Sequence, residues 1–422
     1  MISWLFDGGV RTVLSVVIVF LILVTIHEFG HFIVAKKAGV LVPKFAIGFG
    51  PPIFKFGRGE TEYSIRLLPL GGFVQLAGEI PQDTLFKTGE EVAVLCNASG
   101  EVTLIGEPID VRGEQVVSGS LVAIDTTRAF TVTLQTVDGV HTYPFALRAY
   151  IANGKDRIPM APPNRQMMQK PLFARMLIVF AGPLMNVILT IVLLSIVTLS
   201  VGTLSSPPQI ASVEANSPAS RAGIVPGDTI VSVGNAATQN WTQLVLAIET
   251  HPNKSLIVTV ARNGHDQTIT VTPEKRSNGM GFIGITPAVT HGLIPAIEGG
   301  FQQTVAYTQM IYQALGHLFT SRTAFVKDVG GPVKIVQVIG QQAQLGVLNL
   351  VNLTAVLSLN LAIFNLLPIP ALDGSRLLFM LVEWIRGRPV DPRKEYAVHA
   401  IGFAILILFT VFRTYLDVTQ LH

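Results

Sequence analysis

The stretch TVLSVVIVFLILVTIHEFGH occupies residues 12–31 and is uncharged up to Ile26. A helix of about 20 apolar residues is long enough to cross the hydrocarbon core of a bilayer. The end of the stretch places His27, Glu28 and His31 in that apolar setting. Because ionisable side chains in a membrane helix are costly and commonly functional, the stretch predicts a membrane helix over residues 12–34 with a site of chemistry near its end.

The composition of the whole chain also indicates a membrane protein. Of the 422 residues, 49% are apolar and only 14% are charged, whereas soluble domains carry about 25% charged residues. The net charge of +3 is small, and no basic run with interleaved aromatic residues suggests nucleic-acid binding. Cys96 is the only cysteine in the sequence, which excludes an internal disulfide and a thiolate metal cluster.

Three further apolar segments, residues 176–206, 335–372 and 396–415, are also long enough to span a bilayer. The segment 335–372 is nearly twice the required length, so part of it is expected to form a surface helix or a re-entrant piece. A signal peptide would imitate the first segment, but no A-x-A-like site follows it, and we expect it to be retained. The sequence therefore predicts a polytopic α-helical membrane protein with four transmembrane helices.

Lys and Arg residues indicate the orientation of these helices, because cytoplasmic loops carry an excess of them. Two loops are rich in such residues: Lys36, Lys37, Lys44, Lys55, Arg58, Arg66, Arg165, Lys170 and Arg175 between spans one and two, and Arg376, Arg386, Arg388, Arg393 and Lys394 between spans three and four. Both loops are expected on the cytoplasmic side of the membrane. The two termini and the long segment between spans two and three are then expected outside.

The first cytoplasmic loop contains two β-rich segments. Residues 44–79 alternate in polarity and break at glycines, which predicts strands with tight turns. They form either an ordinary cytoplasmic hairpin or, because they follow the first helix, a strand edge for an extended peptide. Residues 81–157 are more polar, and Asp138-Gly139 between two strand-like runs predicts a β-hairpin. No chemistry is recognisable in this insert.

The segment SPASRAGIVPGDTI, residues 217–230, lies between spans two and three. With a helix pattern at 242–250 and strand patterns at 255–262 and 267–272, it resembles a circularly permuted PDZ domain, which binds a peptide end or strand by edge addition. The alternative is a spacer. Residues 296–321 predict an amphipathic helix on the outer surface.

The predicted domain division of the whole chain follows from these segments. It consists of a first transmembrane helix with H-E-x-x-H at 1–38, a membrane-associated β region at 39–80, a cytoplasmic β-rich insert at 81–160, a second transmembrane helix at 172–206, an extracytoplasmic PDZ domain at 207–288, amphipathic surface helices at 296–345, a third transmembrane helix with its N-x-x-P-x-P-x-L-D-G motif at 346–374, a cytoplasmic loop or helix at 375–395 and a fourth transmembrane helix at 396–416.

The run His27-Glu28-Phe29-Gly30-His31 has the spacing of a zinc site. Two histidines four residues apart lie on one helix face, where both imidazoles can reach one zinc ion at about 2.0–2.1 Å. Glu28 lies close enough to take a proton from a water that zinc activates. With 9 histidines in 422 residues, the motif is expected by chance in fewer than about one such chain in a hundred.

Two histidines do not complete a catalytic zinc site, which usually takes three protein ligands. Asp373 follows an apolar run in which Pro368 and Pro370 prevent a continuous helix. Irregular backbone at membrane depth is tolerated where it lines a water-filled cavity, as hydrolysis in a bilayer requires. Asp373 is therefore either the third ligand or the N-cap of a helix over residues 375–386.

Five motifs together resemble the site-2 protease family, in its bacterial RseP/RasP-type, single-PDZ branch. The resemblance covers nearly the whole chain, and the motifs are HEFGH at 27–31, GFGP at 48–51, RLLPLGGFV at 66–74, AGPLMN at 181–186 and NLLPIPALDG at 365–374. H-E-x-x-H alone occurs in many proteases, but its combination with N-x-x-P-x-P-x-L-D-G in a polytopic chain is highly specific.

The resemblance implies a location in a bacterial inner or cytoplasmic membrane and a function for each motif. His27, His31 and Asp373 would ligate Zn²⁺, with Glu28 as the general base. Asn365 would hold the substrate carbonyl or stabilise the oxyanion. A strand edge beginning with Gly71, Gly72, Phe73 and Val74 would clamp an unwound substrate helix. The substrate would be a single-span membrane protein already shortened by another protease, such as an anti-sigma factor or a signal-peptide remnant.

Two features depart from the best-known Gram-negative pattern, namely a single PDZ-like unit and the insert at 81–157. Both suit the Gram-positive-like branch and argue against filtering of substrates by tandem PDZ domains. Two other classes of function are compatible with parts of the sequence. Intramembrane His and Asp residues also mark transport paths, although no repeated halves with paired broken helices are found. A non-catalytic PDZ scaffold is the second alternative, although such a relative would be expected to lack Glu28 or a ligand.

Overall fold

A computed structural model describes residues 8–79, 86–154, 156–234, 236–320 and 330–419. The first five residues of the predicted 81–160 insert and part of the predicted 296–345 region therefore lie outside the described residues. The chain divides into two compact units, Met1–Thr190 with Tyr307–His422, and Ile191–Ala306. The helices are α1 (Val10–Lys37), α2 (Leu172–Val201), α3 (Pro218–Ala222), α4 (Trp241–Glu249), α5 (Leu293–Thr320), α6 (Pro332–Leu345), α7 (Val347–Leu366), α8 (Asp373–Arg386) and α9 (Pro392–Thr419).

Four helices of the described residues are long and apolar enough to cross a membrane, as predicted. They are α1, α2, α7 and most of α9. The overlong apolar segment contains two helices, because Gly346, with a φ of +130°, separates α6 from α7. Helix α6 packs on α1, where Ile339 joins Val19 and Leu23 in one buried cluster.

Helices α1 and α2 cross at very close range. A side chain at Gly30 would overlap the backbone of Ala181, and one at Gly182 would overlap the ring of His31. Glycine at both positions therefore lets the two backbones approach until the histidine face of α1 lies directly against α2. This crossing positions the candidate site.

The hairpin predicted at 44–79 consists of two long antiparallel strands, β1 (Lys44–Arg58) and β2 (Thr61–Gln75). Its base packs on α1, with the ring of Phe32 against those of Phe45 and Tyr63. Near this base Ala46 pairs with Phe73 and Ile47 pairs with Gly72. The packing places β2 beside the part of α1 that carries the histidines.

The β-rich segment that follows contains β3 (Glu91–Cys96), β4 (Val102–Gly106), β5 (Val116–Asp125), β6 (Thr131–Thr136), β7 (Gly139–Asn153) and β8 (Asp156–Pro159). They form a six-stranded sheet in the order β4-β3-β5-β6-β7-β8, and β4 also pairs with β7 in parallel. Val94, Val132 and Phe145 lie in its core. The hairpin predicted around Asp138-Gly139 is confirmed, since Thr136 pairs with Gly139 between β6 and β7.

The strands of the second unit are β9 (Thr203–Leu204), β10 (Ile210–Val213), β11 (Thr229–Val233), β12 (Ala236–Ala237), β13 (Leu256–Arg262), β14 (His265–Val271), β15 (Glu274–Lys275), β16 (Gly281–Phe282), β17 (Ile285–Pro287) and β18 (Val289–Thr290). They include a four-stranded sheet in the order β12-β11-β13-β14 and a pair of strands, β10 with β17. Helix α3 begins after Ser217, whose hydroxyl accepts from the backbone N–H of Ser220, and it ends at Gly223 in the left-handed region. The predicted helix and both predicted strands of this unit are present as α4, β13 and β14.

Candidate metal centre

Three ligand atoms converge at the crossing of α1 and α2. His27 and His31 project from the same face of α1, and their Nε2 atoms lie 3.3 Å apart. Asp373, the first residue of α8, places Oδ2 3.2 Å from the Nε2 of His27 and 3.4 Å from the Nε2 of His31. The ligand atoms of these three residues all lie within 4.8 Å of one another.

The spacing of these atoms fits a zinc ion. Two ligands bonded to one tetrahedral zinc at 2.0–2.1 Å lie about 3.3–3.4 Å apart, and the three separations here are 3.2–3.4 Å. Oδ2 of Asp373 is also buried and, within the described residues, lacks a hydrogen bond of normal geometry, as expected for an oxygen whose partner is a metal. Two imidazoles and one carboxylate are a frequent protein donor set for catalytic zinc.

The structure tests the capping role predicted for Asp373. The N-cap residue of α8 is Leu372, which makes no side-chain capping hydrogen bond within the described part of the chain, and Asp373 is the first helical residue. The N-cap interpretation of Asp373 is therefore wrong. Helix α7 ends at Leu366, before the two prolines, and a short turn then leads to Asp373. A side chain at Gly374 would overlap the carbonyls of Leu366 and Leu367, so the glycine allows the two helix ends to meet.

Each histidine has a second partner that orients its ring. The Nδ1 of His31 lies 2.8 Å from the carbonyl oxygen of Ile178 in α2. Because a carbonyl only accepts, Nδ1 carries the proton and Nε2 is free to bind a metal. The Nδ1 of His27 lies 3.3 Å from the side-chain amide of Asn186, whose side-chain oxygen is buried without a hydrogen bond within the described residues. Exchanging the amide O and N would make that oxygen the acceptor for His27.

Asn186 is the site residue that sequence reasoning missed. In the sequence it is visible only as the last residue of the AGPLMN motif, which indicates no role for it. The available signal was a single amide in an uncharged transmembrane span, because an unpaired polar group in hydrocarbon is costly. Asn186 is fully buried, and its backbone carbonyl accepts hydrogen bonds from the hydroxyls of Thr190 and Ser358.

Glu28 lies between the histidine pair and strand β2. Its carboxylate interacts electrostatically with His31, His27 and Asp373, and it accepts a hydrogen bond from the backbone N–H of Val74. A side chain at Gly72 would collide with the carbonyl of Ala46 and with Val24, and would press on Glu28. The missing Cβ therefore lets the strand approach the carboxylate.

The remaining predicted site residues occupy two elements. Gly71, Gly72, Phe73 and Val74 all belong to β2, and the guanidinium of Arg66 lies 5.0 Å from the ring centre of Phe73. Asn365 lies in the last turn of α7 and is half-buried. A cavity of about 830 Å³ adjoins these elements, and its apolar lining includes Val24, Gly71, Leu361 and Phe364.

The candidate site combines two histidines and a carboxylate at zinc-ligand spacing with a second carboxylate beside them. This combination, on helices long enough to cross a membrane, is characteristic of one class of protein, the intramembrane metallopeptidases. Residues 15–409 match the model of Peptidase family M50. The chain belongs to this family and is a zinc-dependent intramembrane endopeptidase of the site-2 protease type that acts in regulated proteolysis.

Similar proteins support this assignment over nearly the full length. The zinc metalloprotease RasP of Geobacillus kaustophilus is 38% identical over 97% of this chain and 98% of its own length. The regulator of sigma-W protease RasP of Bacillus subtilis is 36% identical over 98% and 99%. A PDZ domain of an SdrC-like protein from Listeria monocytogenes covers 20% of this chain and 92% of its own, with 16% identity and a TM-score of 0.19, which is too low to carry a conclusion. The transporter and scaffold alternatives are not favoured.

Proposed function

We propose that His27, His31 and Asp373 hold the catalytic zinc and that Glu28 is the general base for peptide-bond hydrolysis within the membrane. The observation that carries the proposal is the convergence of the three ligand atoms at 3.2–3.4 Å from one another. A sequence separation of more than 340 residues between Asp373 and the histidines makes this convergence a property of the fold rather than of one helix.

When bound, zinc supplies Lewis acidity toward water and toward the scissile carbonyl. The Glu28 carboxylate takes the proton of the attacking water and delivers it to the nitrogen of the departing amine, so that one residue acts as base and then as acid. Ile178 and Asn186 keep both imidazole rings turned toward the ligand position. Val74 holds the Glu28 carboxylate through its backbone N–H.

The substrate segment must lose its helical structure before it is cut, because helical carbonyls are hydrogen-bonded and shielded. Residues that weaken a helix should therefore favour cleavage. Gly71, Gly72, Phe73 and Val74 would offer a strand edge to the unwound segment, next to the base. Asn365 would hold the scissile carbonyl or stabilise the oxyanion.

The proposed substrates are single-span membrane proteins already trimmed by another protease, namely anti-sigma factors or signal-peptide remnants. The printed name of the Bacillus subtilis relative, a regulator of sigma-W protease, supports this class. The unit Ile191–Ala306 would contain an extracytoplasmic PDZ domain that receives a peptide end or strand. Its sequence motif and the arrangement of α3, α4 and the four-stranded sheet support this interpretation.

We propose the same domain boundaries, and the same orientation of the helices in the membrane, as the sequence predicts. Both basic loops would lie in the cytoplasm, and the termini would lie outside. With this orientation, the metal centre would lie near the cytoplasmic surface, and Lys36 and Lys37 at the end of α1 support this assignment.

The experiment that tests the proposal compares wild type with Glu28→Gln on a model single-span substrate, followed by mass spectrometry of the products. We expect the variant to retain one zinc per chain and to lose cleavage. Normal cleavage by Glu28→Gln would refute the role of the base. Leu21→Met, in the same helix, is a control that should cleave normally, because Leu and Met have similar volumes.

A further inference from the structure

The turn of residues 367–372 connects α7 to α8 and delivers Asp373 to the metal centre. We infer that His399 of α9 is a positioning residue for Asp373, acting by holding this turn in a strained conformation. The inference rests on the proposed role of Asp373 as a zinc ligand. It gives α9 a part in the site.

The turn is strained at one residue. Ala371 has a φ of +76°, a left-handed conformation that residues with a Cβ rarely adopt outside special sites. Pro370, directly before it, has its own φ fixed by its ring. The local backbone hydrogen bonds run from Ile369 to Leu367 and from Leu372 to Ile369, so they bracket Ala371 without using its N–H.

The N–H of Ala371 is used by His399. It donates to the Nδ1 of His399 over 3.0 Å, and the imidazole side chain is only 16% exposed. Since Nδ1 accepts this hydrogen bond, the proton of the neutral ring sits on Nε2, on the side where Glu395 lies 3.8 Å away. The ring of Phe379, in α8, packs against the imidazole with a centroid distance of 5.9 Å. His399 thus contacts both the turn and the helix that begins with Asp373.

A second contact places α9 directly on the same turn. A side chain at Gly402 would overlap Pro370. His399 and Gly402 are three residues apart and so share one face of α9. Pro370 and Ala371 are therefore fixed from the same side, one by close packing and the other by a hydrogen bond.

The position of Asp373 follows from this arrangement. Ala371 precedes Asp373 by two residues, so a change of its φ would rotate the first turn of α8 and move Oδ2 away from the two imidazoles. Without an acceptor at position 399, nothing in the contacts described for Ala371 compensates for its strain. The expected consequence is a weaker and distorted metal site in a protein that is still folded.

The test measures metal binding by the full-length protein in detergent. His399→Phe keeps a ring but removes the acceptor, whereas His399→Asn keeps an acceptor oxygen near the position of Nδ1. We expect zinc affinity, measured by competition with a chelator, to fall about 10–100-fold in His399→Phe, as for loss of other outer-shell partners, and to fall much less in His399→Asn. The visible absorption of the cobalt-substituted protein should change in the same order. Tyr396→Phe, at an exposed position of the same helix, should change neither readout.

A second variant separates strain from packing. Glycine adopts a positive φ without steric cost, so Ala371→Gly should restore a substantial part of the zinc affinity lost in His399→Phe. Failure of this rescue, or wild-type zinc affinity and cobalt spectrum in His399→Phe, would overturn the inference. If His399→Phe does not fold, His399→Ala, which removes the acceptor without adding volume, replaces it in both comparisons. Asp373→Ala separates a failure of the proposed ligand set from a failure of the role of His399. Full zinc affinity in Asp373→Ala would refute the ligand set. Loss of zinc affinity in Asp373→Ala, together with wild-type affinity in His399→Phe, would refute only the role of His399.

Discussion

Oδ2 of Asp373 lies 3.2 Å from the Nε2 of His27, although the two residues belong to helices at opposite ends of the sequence. The contact is made possible by two close approaches. Gly182 brings α2 against the histidines, and Gly374 brings the start of α8 against the end of α7. The candidate metal centre therefore lies where α1, α2 and the start of α8 meet, and the end of α7 packs against the start of α8.

The first prediction concerns the third ligand. Asp373→Asn keeps the size of the side chain but removes its charge, and we expect zinc affinity to fall at least about 100-fold. The fold should survive, because loss of an acidic residue in the first turn of a helix costs only about 0.3–1 kcal/mol. Metal content after dialysis against a chelator, measured by mass spectrometry, checks this. Asp266→Asn, at an exposed position, is the matched control, and equal zinc retention in both variants would contradict the prediction.

The second prediction concerns Asn186. Asn186→Ala removes the partner of the His27 imidazole, so zinc affinity should fall about 10–100-fold. The hydroxyls of Thr190 and Ser358 bind the backbone carbonyl of Asn186, and the variant leaves those hydrogen bonds in place. Titration of the apo-protein with zinc measures the effect. Asn349→Ala, at an exposed position of α7, should bind as wild type does, and identical affinities for both alanine variants would count against a role for Asn186.

These two residues show how far the sequence could predict the site. Helical spacing was sufficient to pair His27 with His31, and the uncharged segments were sufficient to find the four membrane helices. Spacing could not decide between ligand and cap for Asp373, since both roles suit an acid at the start of a helix. A single amide in an uncharged span marks Asn186, but spacing could not show its role because its partner is 159 residues away. The strained Ala371 leaves no trace in the sequence, because glycine, not alanine, is the usual signal of a positive φ.

The third prediction uses pH. Hydrogen bonds from Arg165 and Lys36 lower the pKa of Glu60 to about 2 from a usual value of 4.5, and its oxygen lies 2.7 Å and 2.5 Å from these two cations. Because the folded pKa is the lower one, the stabilisation is present above about pH 4.5 and is lost as the pH falls toward 2. With the carboxylate 32% exposed, Glu60→Gln should cost about 1 kcal/mol at neutral pH.

Thermal unfolding in detergent at pH 7, 5 and 3 checks this prediction. The difference in Tm between wild type and Glu60→Gln should be largest at pH 7 and 5 and smaller at pH 3. Glu62→Gln is a suitable control, because the ion pair of Glu62 with Lys55 spans 3.9 Å and is exposed. A difference for Glu60→Gln that stays constant down to pH 3 would show that the two cations do not stabilise the carboxylate.

The last prediction separates the catalytic base from the metal. Gly72→Ala would place a Cβ against Ala46, Val24 and Glu28, so strand β2 must shift away from the carboxylate and withdraw the N–H of Val74. We expect cleavage of a model single-span substrate to fall at least about 10-fold, because misplacement of a catalytic group by about 1 Å can cost 100-fold, while zinc content stays at the wild-type level because no ligand moves. Gly57→Ala lies in the same hairpin, where an added Cβ meets open space, and it should cleave normally. Equal cleavage rates for both alanine variants would show that the approach of β2 to Glu28 is not needed for hydrolysis. Loss of zinc from Gly72→Ala, with zinc retained in Gly57→Ala, would show that β2 supports the metal ligands rather than the base.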